Sequence, residues 1–437
     1  MPFETISKTE APSALAERAQ VFRITRRLPV NTPRLESSTF DRFCMRLLLI
    51  SQDFPPDVGG TQTYAHELAR RLAKQCKDFV VIAPEQADSE AIDDELPCEV
   101  IRVPAKNNGF GFKVWMHVLK AIRQRRKNGK PGFDAALHVQ WSSAPSVLFA
   151  ARRFGGPHHI FVAAHGRELL LEPLKGKLVG HMLYNWARTY VMKRSTGFFP
   201  VSRYTRNLLV KKRNVPSERI TVVHNGTDPD HFRPMDVQDL RDELGLKPHH
   251  KVLLTVSRLV ERKGIDTVLR TLPEVARRAP DVQYLIIGDK KKEAQEHKRL
   301  EKIAREQGVT DRVRFLGAVP PDELPRYYNV CDVFVMPSRE NPPYVEGFGI
   351  AFLEANACGK PVIGARSGGI PDAVLDGETG LLVEPDDEAA LAEAIHRLLC
   401  DIPLARRLGR NGRQRIQEEA TWRHAADQIY KAIATHL

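Results

Sequence analysis

Met45-Arg-Leu-Leu-Leu-Ile-Ser-Gln-Asp-Phe-Pro-Pro-Asp-Val-Gly-Gly60 is the stretch from which the fold can be read. Its opening apolar run does not alternate with polar residues, which marks a strand buried on both faces, as in a parallel sheet. The polar, proline-containing loop 51–60 ends on two glycines. Residues 61–74 then place Tyr64, Leu68 and Leu72 on one face of a helix. Short apolar runs at 79–83, 135–139, 160–163, 197–201 and 220–223 follow, each separated by a helical stretch. Strand–helix alternation of this kind predicts an α/β, doubly wound parallel sheet. A second unit begins at Val252-Leu-Leu-Thr-Val256 and continues through 282–288, 313–316, 333–336, 361–365 and 380–383. The turn- and proline-rich segment 224–250 is the natural linker. The expected organisation is a flexible tail over 1–41, a Rossmann-like domain over 42–228, a second over 229–420, and a last helix, 421–437, crossing back to the first. Two such sheets leave a cleft where their strand C-termini face each other, the usual place for a ligand.

Size and composition agree with this division. A chain of 437 residues exceeds one ordinary core, and 42% hydrophobic with 27% charged residues is typical of a globular protein. No apolar run approaches the roughly 18 residues needed to cross a bilayer. Charges at Glu4, Lys8, Glu10, Glu17 and Arg18 stand where an export signal needs an apolar block. The six cysteines, at 44, 76, 98, 331, 358 and 400, form no metal-ligand cluster and read as reduced thiols of a cytoplasmic protein. The net charge of +12 is uneven: residues 42–228 hold 29 Lys+Arg against 16 Asp+Glu, or +13. Within them, 113–130 carries seven cations and 175–213 ten, with no acid in either stretch. Nucleic-acid binding is disfavoured, because aromatics are only 7% and no binding motif accompanies the charge.

The chemistry concentrates in Glu346-Gly-Phe-Gly-Ile-Ala-Phe-Leu-Glu354. Gly347, Phe348 and Gly349 lie where a loop hands over to a helix, whose first N–H groups lack intrahelical acceptors and attract anions. A carboxylate on each side makes no sense for phosphate alone. It does for a phosphate carrying hydroxyls, because an ionised carboxylate is a pure acceptor. The implied ligand is a nucleotide-sugar. Arg258 and Lys263, in the loop and turn after strand 252–256, suit its diphosphate, the first as a planar fork of donors and the second as a point charge. Gly59 and Gly60 let backbone N–H groups approach the same ligand from the first domain. Their spacing is not G-x-G-x-x-G, which argues against a dehydrogenase. His165 ends an apolar run and heads the loop His165-Gly-Arg-Glu168, pointing into the cleft. Asp228-Pro-Asp230 has the D-x-D spacing of metal-dependent sugar transferases but falls in the linker, so no metal is assigned to it.

Taken together, Gly59-Gly60, His165, Asn225-Gly226-Thr-Asp228, Arg258, Lys263, Glu346-x7-Glu354 and Gly368-Gly369-Ile-Pro371 resemble the family 4 glycosyltransferases of GT-B fold, from about Met45 to the C-terminus. The resemblance implies a retaining, metal-independent hexosyltransferase without cofactor, acting on a glycan or lipid-linked acceptor. It implies that Arg258 and Lys263 hold the donor diphosphate, Glu354 the ribose, Glu346 the transferred sugar, and that His165 lies beside sugar and acceptor. Pro337-Ser-Arg-Glu-Asn-Pro-Pro-Tyr-Val-Glu346 is similar to the phosphatidylinositol mannoside mannosyltransferases, which points to GDP-mannose and leaves UDP-sugars open. One departure is Gly288-Asp-Lys-Lys-Lys, where the family often has Gly-Asp-Gly-Pro.

The helical stretch 110–130 combines Phe112, Val114, Trp115, Val118, Leu119 and Ile122 with seven cations, the pattern of a helix lying on an anionic membrane. It could equally be a core-facing helix with a solvated basic side. The basic first domain thus predicts a peripheral enzyme on the inner face of the membrane. The competing reading of the whole is a GT-B relative that isomerises or merely binds a sugar nucleotide.

Overall fold

The structure is a computed structural model that describes residues 45–104, 110–145, 147–149, 156–172 and 178–437. The expected tail over 1–41 lies outside the described residues. Among the described residues, twelve strands form two six-stranded, wholly parallel sheets. The first contains β1 (Arg46–Ile50), β2 (Asp78–Pro84), β3 (Glu99–Val103), β4 (Ala135–His138), β5 (His159–Ala164) and β6 (Gly197–Pro200) in the order 3-2-1-4-5-6. The second contains β7 (Lys251–Val256), β8 (Val282–Ile287), β9 (Val313–Gly317), β10 (Val333–Met336), β11 (Val362–Ala365) and β12 (Gly380–Val383), and repeats that order as 12-11-10-7-8-9. Both are doubly wound, so each has a switch point, between β1 and β4 and between β7 and β10, where the loops diverge and leave a crevice.

The central strands are apolar throughout because helices cover both their faces. Leu47 and Leu49 pack with Tyr64, Leu68 and Leu72 of the helix Gly60–Leu72, while Leu48 and Ile50 join Val114, Val118 and Ile122 on the other side. The run 220–223 is not a regular strand: Ile220 makes a single bridge to Phe198, and the amides of Thr221 and Val223 donate to the Phe198 and Pro200 carbonyls before the chain enters the linker. The strand Glu99–Val103 has no counterpart among the predicted runs. It is an edge strand with only Val103 fully buried, so its apolar signal is weak.

In the helix Phe110–Lys127, Val114, Val118, Leu119 and Ile122 are buried beneath the sheet, while Trp115 is half-buried and Met116 is exposed. The last helix, Trp422–Ala434, packs on the helix Gly60–Leu72: Gln75 donates to Asp427 (2.7 Å), and the rings of Tyr64 and Trp422 meet edge to face at 6.1 Å. Thr227 and Ala420 are joined by a backbone hydrogen bond where the linker passes the returning chain. A Cβ on Gly226 would lie 2.2 Å from the Thr421 carbonyl carbon, so only glycine fits this crossing.

Candidate active site

Strands β7 and β10 are neighbours, so the loops leaving their C-terminal ends share one crevice. After β7, the turn Glu261–Lys263 closes on Gly264 in the left-handed region (φ 71°), where the Pro337 carbonyl approaches within 2.3 Å of a would-be Cβ. That contact ties the two loops together and aims Lys263 at Glu346. Lys263 Nζ donates to Glu346 Oε2 at 2.6 Å, and Arg262 Nη1 donates to the same oxygen at 3.0 Å. Burial alone would raise the Glu346 carboxyl, but the Lys263 ammonium and the Arg262 guanidinium outweigh it and hold it at about 2. Glu346 is therefore a carboxylate at any physiological pH. Lys263 is pulled below its ordinary value by burial, with Glu346 acting in the opposite direction. Arg258 is exposed beside this pair, near enough to feel the charges of Arg262, Glu293, Glu346 and Arg167.

Gly349, at φ 101°, starts the helix Ile350–Ala357. Its neighbour Gly347 is required for a different reason: a Cβ there would meet the His165 carbonyl oxygen at 2.0 Å. That contact comes from the opposite lobe, so the two lobes meet at this loop. Gly166 lies against Val345, and Gly60 faces the Ile350 side chain at 3.8 Å from a would-be Cβ. Glu354 sits one turn beyond Ile350 on the same helix face. It accepts a hydrogen bond from Tyr328 Oη at 2.6 Å, and burial raises its carboxyl to about 7. Phe348 does not reach the crevice with its side chain, which is buried and lies against the His224 ring at 5.6 Å; only its backbone can serve a ligand.

On the N-terminal side, Glu168 accepts from the backbone N–H groups of His165 (2.6 Å) and Gly166 (3.2 Å) and so fixes the loop after β5. The His165 ring packs edge to face on Tyr64, with centroids 4.7 Å apart. Burial lowers its imidazole to about 4, so it is neutral, and its covered Nε2 has no hydrogen-bond partner among the described residues. A buried, unpartnered ring nitrogen at a cleft is a ready contact for a ligand hydroxyl.

The fold thus brings Gly60, His165, Arg258, Lys263, Glu346, Gly347, Gly349 and Glu354 to one interlobe cleft, with Gly59 adjoining Gly60. It adds residues that the sequence motifs do not single out. Arg262 joins Lys263 on Glu346. Asp53, after β1, carries a carboxyl that burial raises and receives a bond from Gln140. Arg167 stacks over the Tyr344 ring across the cleft at 5.0 Å. Arg203 binds the buried Asp372 of the opposite lobe, and Tyr204 Oη donates to Glu340 at 3.2 Å. The D-x-D segment is otherwise engaged, since Asp228 accepts from the backbone of Asp230 and pairs with Arg71. The departing loop after β8 is an Asp289-capped turn, its carboxylate accepting from the amides of Lys291 and Lys292.

Paired Rossmann-like sheets meeting across such a cleft are the GT-B architecture of the glycosyltransferases. Residues 58–231 match Glycosyltransferase Family 4, and residues 236–415 match Glycosyl transferases group 1. A GDP-mannose-dependent alpha-(1-6)-phosphatidylinositol monomannoside mannosyltransferase of Mycolicibacterium smegmatis is 33% identical, covering 89% of this chain and 98% of its own. A D-inositol 3-phosphate glycosyltransferase of Frankia alni is 30% identical over 78% of this chain and 86% of its own. Among solved structures, a sucrose-phosphate synthase from Thermosynechococcus elongatus superposes with a TM-score of 0.70 at 25% identity, covering 90% of this chain and 100% of that one. The chain belongs to glycosyltransferase family 4 and is an enzyme of the glycosyl-transferring class.

Proposed function

We propose that this enzyme moves a hexosyl group, mannose in the first instance, from GDP-mannose to a lipid-linked acceptor of the inositol-glycolipid class, at the inner face of the membrane. The observation that carries this reading is the Glu346–Lys263–Arg262 cluster beside the helix start at Gly349, opposite a neutral His165. In this reading Arg258 and Lys263 neutralise the departing diphosphate, assisted by the N–H groups of 347–349. Glu354 takes the ribose hydroxyls, Glu346 the hydroxyls of the transferred sugar, and His165 Nε2 a hydroxyl on sugar or acceptor. Leaving-group charge is stabilised by fixed cations and backbone dipoles in a partly dry cleft, so neither a metal nor a strong protein nucleophile is required. Departure and attack then occur on one face of the sugar, and the product retains the donor's configuration. GDP-mannose is favoured by the name of the mycobacterial relative and by the similarity around Pro337–Glu346.

The test is to incubate the enzyme with GDP-mannose or the common UDP-sugars, with an inositol glycolipid, in the presence of EDTA. GDP release together with a mannosylated product of unchanged anomeric configuration is expected. An isomerised donor, or binding without turnover, would instead identify an epimerase-like or binding-only protein. An inverted linkage or EDTA sensitivity would overturn the proposed chemistry.

A further inference from the structure

The helix Leu178–Arg194 is apolar on two sides, and only one is used by the core. Val191, Met192 and the ring of Tyr184 face inward, Tyr184 meeting Trp141 edge to face at 5.0 Å. The opposite stripe, at helical spacing, holds Met182, Leu183 and Trp186, which are 63%, 61% and 65% exposed. The Trp186 ring is stacked on Tyr190 at 5.5 Å, so it is held outward rather than folded onto the core. Three adjoining large apolar side chains in water are uncommon on a monomer's surface and mark an interaction site.

The surroundings of the stripe identify what it meets. Its C-terminal turn ends in exposed Lys193 and Arg194, and exposed Lys211 and Lys212 lie on the next helix, Arg203–Arg213. An open groove of about 560 Å³ runs along the helix, lined by Arg188, Lys193, Lys212, Arg213 and Arg219 against the single carboxylate of Glu172. Arg188 and Arg213 share that carboxylate and also donate to backbone carbonyls, so they are fixed in place but still cationic. No carboxylate pairs with Lys193 or Lys212 among the described residues. A second copy of the chain is disfavoured as the occupant, because a twofold contact through this face would set like charges against each other. Apolar side chains with a tryptophan, rimmed by unpaired cations, are the composition of a surface that enters an anionic bilayer interface.

We propose that the enzyme docks on anionic lipid through this helix, with Met182, Leu183 and Trp186 inserted at the headgroup–acyl boundary and Lys193 and Lys212 on lipid phosphates. This rests on the lipid-linked acceptor proposed above and names the surface that would bring the cleft to it. It places the membrane contact on a different helix from Phe110–Lys127, whose Val114, Val118, Leu119 and Ile122 are buried.

The test is flotation of the full chain with phosphatidylcholine vesicles, with and without phosphatidylglycerol, together with light scattering and hydrolysis of soluble GDP-mannose. Binding should require the anionic lipid and weaken with salt. A Met182→Ser, Leu183→Ser, Trp186→Ser variant should partition at least about 10-fold less. Lys193→Glu with Lys212→Glu should lose about 5-fold or more per cation. Brominated lipid should quench the wild type and leave Trp186→Phe largely unquenched. These exposed substitutions should leave donor hydrolysis unchanged. Unaltered flotation of both variants overturns the proposal, as does loss of binding only on Lys120→Glu, Arg123→Glu. A dimer abolished by Trp186→Ser without vesicle binding overturns it in favour of self-association. Failure of the wild type to turn over any donor would sink the proposed function, while the flotation result would stand or fall separately.

Discussion

Glu346 and Lys263 form a buried pair, so each determines the state of the other. Removing Glu346 leaves the buried Lys263 ammonium without a carboxylate, which costs about 3–5 kcal/mol in comparable buried pairs, whereas removing Lys263 leaves Glu346 with Arg262. Glu346→Gln should therefore lower the melting temperature as well as the rate, and activity loss in that variant alone would not separate support from chemistry. Arg258 makes the cleaner test because it is exposed: Arg258→Ala should unfold like the wild type in urea while turnover falls by about 100- to 1,000-fold. A normal rate in Arg258→Ala would remove it from the diphosphate site. Glu346, held at about 2 against a usual value near 4, contributes stability that is complete above the ordinary carboxylate range and fades as pH falls towards 2. Glu354 behaves oppositely. Burial keeps its proton until about pH 7, yet the proposed contact with ribose hydroxyls calls for the ionised form. GDP affinity should thus rise between pH 6 and 8, with proton release on binding below pH 7, and Glu354→Gln should flatten that profile in calorimetry. A pH-independent wild-type affinity would contradict the assignment.

At the scale of elements, the loop 345–349 has to pass the His165 carbonyl closely. Gly347→Ala would place a methyl group on that oxygen and push the lobes apart by roughly an ångström, enough to cost about 100-fold in turnover through misplacement. The corresponding measurement is kcat with GDP-mannose alongside a melting curve; an active, equally stable variant would show that the lobes need not meet here. Most strands were legible because central parallel strands must be apolar without alternation. Glu99–Val103 was not, because an edge strand needs less apolar character, and Ile220–Val223 stops short of a strand because it pairs with the edge strand Gly197–Pro200 only through isolated contacts. Glu346, Lys263 and Glu354 were legible as local spacing around a helix start. Arg262 was not, because its position in the loop has no distinguishing spacing and only the fold brings its side chain onto Glu346 beside Lys263. Asp372, Arg203 and Tyr344 act across the cleft, and no local pattern encodes a contact between lobes. The helix at 110–127 shows the same limit: amphipathic composition cannot say which apolar side chains meet the core, and only the fold puts Val114, Val118, Leu119 and Ile122 there.

At the scale of the whole molecule, two copies of one architecture divide the work. The C-terminal lobe holds nearly all the groups suited to the donor, and it is slightly acidic overall. The N-terminal lobe carries the excess positive charge, the neutral His165 and the exposed stripe on Leu178–Arg194. The returning helix Trp422–Ala434 and the crossing at Gly226 join the lobes at one end, while Arg203–Asp372 and Tyr204–Glu340 bridge them at the mouth. The cleft therefore has a preset geometry into which a donor must fit. A crystal structure with GDP-mannose tests this most directly. The diphosphate is expected against Arg258 and the amides of 347–349, the ribose on Glu354, and mannose between Glu346 and His165. A nucleotide bound in the N-terminal crevice, or one leaving Arg258 and Glu354 without contact, would contradict it.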